Sequence, residues 1–411
     1  MSGSNILFIL SGSIAGYKAC EAISRLVQNG HRVRTVASAA AGQFVGPATL
    51  EGLTGEPVRG EVFAAGRAMD HIQLARWADA TVICPATAQT LNRLAAGLAD
   101  DLVGLLFLTH ERTKPFLVAP AMNPAMWGHP ATRAAVAKLQ DWGVQFIPVG
   151  RGRTACGEVG EGRMAEADAV VAAVEAAVAR PARRLRILVT SGGTVEPIDA
   201  VRGLGNFSTG RTGAGLAGHF FRRGHDVLLV RARNSAAAPP LCEEEAFTTF
   251  AELDGVLGRR LGGEDFDVVV HAAAVGDFRV AGVRAEGLER KPGVGKLESG
   301  RPLLLELEPN PKLVDGLISR SRNPDLRVVA FKLTQGAGPE EAPAAAAELA
   351  ARAGACLVVQ NDLVRRGESP DDFPAEIYGR DGLQTARCAT RAELAENLER
   401  LLGLEMTRLK P

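Results

Sequence analysis

Short β-type apolar runs alternate along the chain with stretches whose apolar positions recur at helical spacing. Asn5–Leu10, Arg32–Ala37, Thr81–Cys84, Phe116–Ala119 and Val144–Ile147 read as buried strands. Tyr17–Gln28, Ala88–Ala96 and Ala131–Asp141 lie between them and read as helices, the first stopped by Asn29-Gly30. Strands and helices alternating through short connections predict a parallel, doubly wound α/β sheet. The alanine-rich helix Glu166–Ala179 ends at Arg180-Pro181-Ala182-Arg183-Arg184, where proline halts the helix and the arginines solvate a linker. Beyond it the pattern restarts with strands at Leu185–Thr190, Val227–Val230, Val268–His271, Arg327–Lys332 and Cys356–Gln360. Helices are expected at Gly213–Arg223, Ala251–Arg260 and Ala342–Ala351. The expectation is two Rossmann-like α/β domains, 1–180 and 185–411, each opening with a strand and a Gly/Ser turn.

Composition narrows the class. The 411 residues carry 47 basic and 47 acidic side chains, so no strong field favours a polyanion, and neither a nucleic-acid nor a membrane partner is expected. At 46% hydrophobic and 23% charged the chain is an ordinary globular sequence, which argues against disorder. No apolar run approaches the roughly 18 residues of a membrane span. Met1–Leu10 has no basic flank and runs into Ser11-Gly12-Ser13, a first strand and its turn rather than a leader. Six cysteines lack C-x-x-C spacing, so disulfide frameworks and zinc knuckles are not expected and the cytoplasm is the natural setting.

Candidate chemistry in the first half follows strand ends. Ser11-Gly12-Ser13-Ile14-Ala15-Gly16-Tyr17-Lys18 sits at a helix mouth, where small residues and free N–H groups suit a phosphate. It is not G-x-G-x-x-G, and such a loop taken alone is more often merely a tight turn. Met69-Asp70-His71-Ile72 and Pro85-Ala86-Thr87-Ala88-Gln89 come next, with Gly97–Leu102 after them. Ala119–Trp127 and Ala155–Met164 complete the series. Taken singly, His71 reads as a capping or packed histidine, Asn123 as a turn residue before Pro124, and Cys156 as an inert thiol. Chemically, His71 suits proton transfer, the Asn123 amide can donate to a carboxylate, and glycines around Cys156 suit a thiol on a mobile flap.

In this order the motifs resemble the flavin-dependent cysteine decarboxylases, most closely phosphopantothenoylcysteine decarboxylase, over residues 5 to about 175. The resemblance implies a flavodoxin-like domain with FMN on the Ser11, Gly12, Ser13, Ile14 and Lys18 loop, and Ser38, Ala86 and Thr87 contributing. It further implies that the flavin oxidises the cysteinyl end of 4′-phosphopantothenoylcysteine. Carbon dioxide then leaves, and hydride and a Cys156 proton return. His71 and Asn123 are the other implied catalytic residues. Gln89 stands where many relatives carry asparagine, which keeps the amide.

The second half carries Thr190–Asp199, Val201-Arg202, Asn206–Ala214, Ala272–Phe278, Lys296-Leu297-Glu298-Ser299, Asn310–Leu313, Phe331-Lys332-Leu333 and Asn361-Asp362. Gly192–Thr194 and Ser208–Ala214 can offer backbone N–H groups to phosphates, and Lys296 a cation. A lone lysine on a polar loop is most simply a solvated residue, and Asp277 can cap a turn. This series resembles phosphopantothenate–cysteine ligase, which many bacteria fuse behind the decarboxylase. The resemblance implies that 4′-phosphopantothenate is activated as an acyl-nucleotide and joined to L-cysteine, with Asn206 handling that species and Lys296 neutralising phosphate charge. Gly192, Gly193, Thr194, Ser208, Gly210, Ala273, Asp277, Pro311, Lys312, Leu313, Val314 and Phe331 would border the nucleotide, with Asp277 also holding Mg²⁺ or Mn²⁺. CTP is the expected nucleotide. Asn206-Phe207-Ser208 and Phe331-Lys332-Leu333 resemble stand-alone eukaryotic ligases, some of which use ATP. Glu298 replaces the middle cation of the family's lysine cluster, and Leu349 and Ala353 stand where relatives carry lysines.

The resulting expectation is a bifunctional enzyme of coenzyme A synthesis, with trimeric flavin domains and dimeric ligase domains. Against it stand a flavin-binding regulatory or assembly module, which His71, Asn123 and Cys156 together disfavour, and a general flavin or nucleotide-sugar enzyme.

Overall fold

The computed structural model describes residues 3–404, except 63–65, 180, 182, 240–241, 286–287, 299, 301, 366, 368 and 370. Two compact units divide at Ala179. Among the described residues no helix is long and apolar enough to cross a membrane.

The first unit opens with β1 (Asn5–Leu10), α1 (Gly16–Gln28), β2 (Arg32–Ala37) and α2 (Pro47–Thr54). It continues through α3 (Asp70–Trp77), β3 (Ala80–Ala86), α4 (Ala88–Ala95), α5 (Leu102–Thr109) and β4 (Phe116–Pro120). Then come α6 (Pro124–Gly128), α7 (Pro130–Asp141), β5 (Gln145–Phe146), β6 (Gly150–Arg153), β7 (Val159–Arg163) and α8 (Ala167–Val178). The strands pair in parallel in the order β2-β1-β3-β4-β5. All seven residues of β3 are buried, as a strand covered on both faces requires. One face packs α1 and α8 around Ile23, Leu26 and Val170. The other packs α4, α5 and α7 around Leu91, Leu106 and Leu139. This is the flavodoxin-like order, whose chain direction across the sheet reverses between β1 and β3.

The second unit has β8 (Arg186–Ser191), β9 (Val195–Pro197), β10 (Gly203–Gly205), α9 (Arg211–Arg222), β11 (Asp226–Ala232) and β12 (Glu243–Phe247). After α10 (Phe250–Gly263) and β13 (Val268–His271) comes an antiparallel arm of β14 (Phe278–Ala285), β15 (Leu288–Arg290) and β16 (Leu303–Pro309). The chain closes with α11 (Leu317–Arg320), β17 (Arg327–Thr334), α12 (Glu341–Ala353), β18 (Leu357–Asp362), β19 (Asp372–Gly379), β20 (Gln384–Thr390) and α13 (Arg391–Leu401). Its main sheet runs β12-β11-β8-β13-β17-β18-β19-β20, parallel except for the last two strands. Relative to β8 the first six strands have the dinucleotide-fold order 3-2-1-4-5-6, with its reversal between β8 and β13. Leu253 and Leu257 cover one face and Phe220 and Leu398 the other.

The doubly wound α/β expectation holds in both units. Arg183 and Arg184 are exposed as expected of a linker, yet they pair with Asp267 and Asp226. Arg180 and Ala182 of that linker lie outside the described residues.

Candidate functional site

In open α/β sheets ligands sit beyond the carboxyl ends of the strands, where strand order reverses. In the first unit that place is built around Ser11. Its buried hydroxyl donates to Pro85 O at 2.7 Å and accepts the Thr87 N–H at 3.0 Å, joining the ends of β1 and β3. The Ser38 N–H donates to Leu10 O at 3.0 Å, which brings the end of β2 alongside. A Cβ on Gly12 would stand 2.5 Å from Ala40 Cβ, so only glycine lets this loop pass the turn after β2. No side chain caps the N-terminus of α1 and no acid occupies its first turn, leaving it open to an anion. Ile14 and Tyr17, 60% and 65% exposed, stand beside that opening. Ala86 ends β3, and Thr87 caps α4 by accepting the Thr90 N–H. Lys18 is the exception: its ammonium is buried and held by Glu166 Oε1 at 2.7 Å, so it is not free at the loop mouth. Its hydrogen bond holds the Glu166 carboxyl below the usual range.

His71 is half-buried in the first turn of α3. Its neighbour Asp70 pairs with Arg59 at 3.3 Å, and Arg59 is hydrogen-bonded to Thr35 and Ala37 of β2, so α3 begins beside the Ser38 turn. Asn123 caps α6, with Oδ1 accepting the Met126 N–H at 2.8 Å. That bond fixes the amide so that Nδ2 has no partner among the described residues and remains a free donor. Cys156 lies in the turn of the β6–β7 hairpin, exposed, with Sγ 3.0 Å from Thr154 Oγ1.

The hairpin is docked at its base. Met122 N–H donates to Gly162 O at 2.9 Å. A Cβ on Gly162 would come within 2.6 Å of Met122 O, and one on Gly160 within 2.7 Å of Pro124 Cγ. Those glycines serve close approach, where the sequence suggested flexibility. Among the described residues none of the His71, Asn123 and Cys156 side chains hydrogen-bonds another of the three.

A cavity of about 250 Å³ lies at the opposite end of the same sheet, lined by residues including Phe107, His110, Arg112, Lys114, Phe116 and Trp142. Its cations already serve carbonyls: Arg112 reaches Trp142 O at 3.1 Å and Lys114 reaches Arg76 O at 2.9 Å. It stands apart from the loops above.

In the second unit the reversal point lies between Gly192–Thr194 after β8 and Ala272–Asp277 after β13. Ala274 N–H donates to Gly192 O at 2.8 Å and Thr194 N–H to Ala274 O at 3.2 Å. Thr194 Oγ1 accepts the Gly276 N–H at 2.8 Å, and Thr190 Oγ1 accepts the Ala273 N–H at 3.1 Å. Asn206 lies across the same turn, donating to Ala274 O at 3.3 Å and Val275 O at 3.1 Å. Ser191 Oγ donates to the carbonyl of Gly210, the left-handed N-cap of α9, at 2.8 Å. The N-cap Gly210 has no side chain to offer, Thr209 Oγ1 accepts only the Arg211 N–H at 3.5 Å, the first turn of α9 holds no acid, and Ser208 before it is exposed. Asn310 joins the group by donating Nδ2 to Gly276 O at 3.0 Å, and Asp277 pairs with Lys312 at 2.5 Å.

Leu313 is 3% exposed and belongs to the core, so only its backbone can face a ligand. Val314 packs against the same core, Pro311 is exposed, and Phe331 is half-buried. Lys296 is exposed and free of ion pairs among the described residues. Its loop is fastened by Asp199, which accepts N–H groups from Val201, Arg202 and Leu297 and pairs with the Arg202 guanidinium. These bonds, chiefly that of Arg202, hold the Asp199 carboxyl far below its ordinary range. Ser299 lies outside the described residues. Asp199 and Asn310 stand inside sequence motifs, yet what marks them out is their burial, which local pattern does not carry.

Residues 1–179 match the flavoprotein family, and residues 182–402 match the family described as the DNA/pantothenate metabolism flavoprotein C-terminal domain. The chain is 34% identical over 409 residues to the coenzyme A biosynthesis bifunctional protein CoaBC of Thermococcus kodakarensis, covering 96% of this chain and 94% of that one. Identity to the protein of that name is 38% in Mycobacterium tuberculosis, over 71% of each chain. In Escherichia coli it is 33%, over 77% of each chain.

Proposed function

The chain belongs to the bifunctional coenzyme A biosynthesis family, a carboxy-lyase joined to a ligase, and from that premise we propose how its two units divide the work. Residues 1–180 form the phosphopantothenoylcysteine decarboxylase and residues 185–411 the phosphopantothenate–cysteine ligase. The observation that carries the first assignment is Ser11 bridging the ends of β1 and β3 at the reversal point, beside an uncapped helix N-terminus. The flavin there is FMN: the N–H groups of Gly12–Ile14 would take its phosphate, Ser11 would shape the loop because its own N–H is given to Pro85 O, and Ser38, Ala86 and Thr87 would border the rest. Lys18, held by Glu166, contributes through charge rather than direct contact.

FMN supplies two-electron chemistry at the cysteinyl end of 4′-phosphopantothenoylcysteine. The free Asn123 Nδ2 holds the carboxylate that departs as carbon dioxide. His71 exchanges a proton at the reacting end, and the Cys156 thiol returns one to carbon.

In the ligase, the 4′-phosphopantothenate carboxylate attacks the nucleotide α-phosphorus and pyrophosphate leaves. The L-cysteine amine then displaces the nucleoside monophosphate. Phosphates would rest on the N–H groups of Gly192 and Gly193 and the open end of α9, the Thr194 N–H being already given to Ala274 O; Lys296 neutralises developing charge, and Asn206 orients the acyl-nucleotide. Asp277 suits Mg²⁺ or Mn²⁺, since Mg²⁺ commonly takes one or two carboxylates with substrate phosphates. CTP is the preferred nucleotide, ATP the alternative, and the cytoplasm the site of action.

The active sites are completed between copies, in trimers of the flavin unit and dimers of the ligase unit. Supporting this are the separate settings of His71, Asn123 and Cys156 and the exposed Phe278 and Leu304 of the antiparallel arm.

The test is to incubate purified protein with 4′-phosphopantothenate, L-cysteine, Mg²⁺ and CTP or ATP, and to weigh the products. No 4′-phosphopantothenoylcysteine with either nucleotide sinks the ligase assignment. Cys156→Ser should retain FMN yet fail to yield 4′-phosphopantetheine; an undiminished yield removes Cys156 from the mechanism.

A further inference from the structure

Asn310 stands between β16 and Pro311 and is only 8% exposed. Its backbone N–H donates to Asp277 O at 2.8 Å, and its side-chain Nδ2 donates to Gly276 O at 3.0 Å. One residue thus fastens the Gly276–Asp277 turn to the Pro311–Lys312 segment. The same turn is tied to the β8 loop through Gly276 N–H and Thr194 Oγ1.

This arrangement fixes the amide. Rotating it by half a turn would set the amide oxygen against the Gly276 carbonyl, two acceptors face to face. The remaining atom, Oδ1, is closed off from solvent and has no hydrogen-bond partner among the described residues. A buried acceptor without a donor costs free energy, and few survive in folded proteins unless something else satisfies them. Among the described residues the other unpartnered buried side-chain atoms, on Asn5, Arg34, Thr35 and His225, lie away from the reversal point between β8 and β13. A merely structural tie would need only the donor.

We infer that Asn310 is a nucleotide-reading residue of the ligase: its Oδ1 accepts one N–H or O–H of the bound nucleotide as the two segments it joins take up that ligand. This rests on the reading that Pro311–Val314 border the nucleotide. The shared chemistry is a single hydrogen-bond donor, either the exocyclic amine of the base or a ribose hydroxyl.

The experiment uses the full-length protein and titrates CTP, UTP, 2′-deoxy-CTP and 3′-deoxy-CTP into wild type and Asn310→Ala by calorimetry. KM values for nucleotide and L-cysteine are measured in parallel. Asn310→Ala should weaken CTP about tenfold. The KM for L-cysteine and the decarboxylase activity should not change. One analogue should bind wild type and variant alike, and that analogue names the donor: UTP for the amine, a deoxy form for a hydroxyl. If the variant does not fold, wild type alone must disfavour at least one of the three analogues by fivefold or more. A wild-type-to-variant ratio that is the same for every nucleotide overturns the inference and leaves Asn310 a tie between loops. Wild type that binds none of the four nucleotides removes the ligase reading itself.

Discussion

Replacing Gly162 by alanine tests whether the Cys156 hairpin must dock on the Met122–Pro124 loop. Gly162 has φ +126°, and an added Cβ would lie 2.6 Å from Met122 O and 3.3 Å from Asn123 O. Ordinary carbon contacts begin near about 3.5 Å, so the Met122 carbonyl must retreat by roughly 1 Å. The obstacle is backbone, and its retreat strains the 2.9 Å bond from Met122 N–H to Gly162 O. An L-residue in the left-handed region costs roughly 1–2 kcal/mol, and a lost backbone bond about 0.5–1.5. Docking should therefore weaken by roughly 2–3 kcal/mol. A displacement of this size at reacting groups lowers rates on the order of a hundredfold. The assay is 4′-phosphopantetheine formation from supplied 4′-phosphopantothenoylcysteine, with FMN content read by absorbance and ligase turnover as internal control. Gly157→Ala separates strain from crowding, because φ is +90° there and the nearest atom, Arg153 Nη2, is 3.9 Å away. It should lose less than tenfold. Gly162→Ala activity within twofold of wild type, or a loss that merely tracks FMN loss, would refute the docking argument.

Ser11→Ala removes a donor and an acceptor at once, orphaning the Thr87 N–H, which should cost roughly 1–3 kcal/mol. Flavin dissociation should rise at least about tenfold by filtration and absorbance, and unchanged retention would deny Ser11 its bridging role. Burial pushes the His271 imidazole down to about 4 from 6.5. Between those values the unfolded chain binds the extra proton, so the ligase unit loses stability as pH falls, by up to roughly 3 kcal/mol. Urea unfolding at pH 7 and 4.5 should show a shallower pH slope for His271→Asn, and parallel slopes would count against the burial argument. Lys296→Ala removes an exposed, unpaired cation, so stability should shift by less than about 0.5 kcal/mol. Ligase turnover should nonetheless fall on the order of a hundredfold with decarboxylation intact. Equal losses in both activities would point to misfolding instead.

The strands were legible where apolar runs are short and sharply bounded. Asn5–Leu10, Arg32–Ala37 and Val268–His271 have the bounds their patterns predict. Helix Leu102–Thr109 was missed because it is nearly all apolar, so no polar face sets a period. The arm of Phe278–Ala285 and Leu303–Pro309 was missed for another reason: all but the first residue of the latter strand are exposed, so burial imposes no alternation. The β6–β7 hairpin, Gly150–Arg153 with Val159–Arg163, is built from glycine and charge and carries no strand signal. Within the candidate sites, residue types and order pointed to strand ends. Pairings did not follow: Ser11 meets Thr87 76 positions away, and Lys18 meets Glu166 148 away. Local pattern contains no information about which distant carbonyl or carboxylate a side chain will find.

The Asp277–Lys312 pair has a consequence for cation exchange. Both side chains are about half exposed or more, at 64% and 49%, and an ion pair so placed is worth only about 0–1 kcal/mol. The ammonium is therefore a tethered counter-ion, always at hand but easily evicted. A divalent ion arriving with a nucleotide would take the carboxylate and release a lysine into the neighbourhood of the phosphates. One positive charge would be handed from protein to ligand in the same exchange that admits two. Occupancy of Asp277 would then depend less on free metal than on whether a polyphosphate is there to receive the displaced lysine.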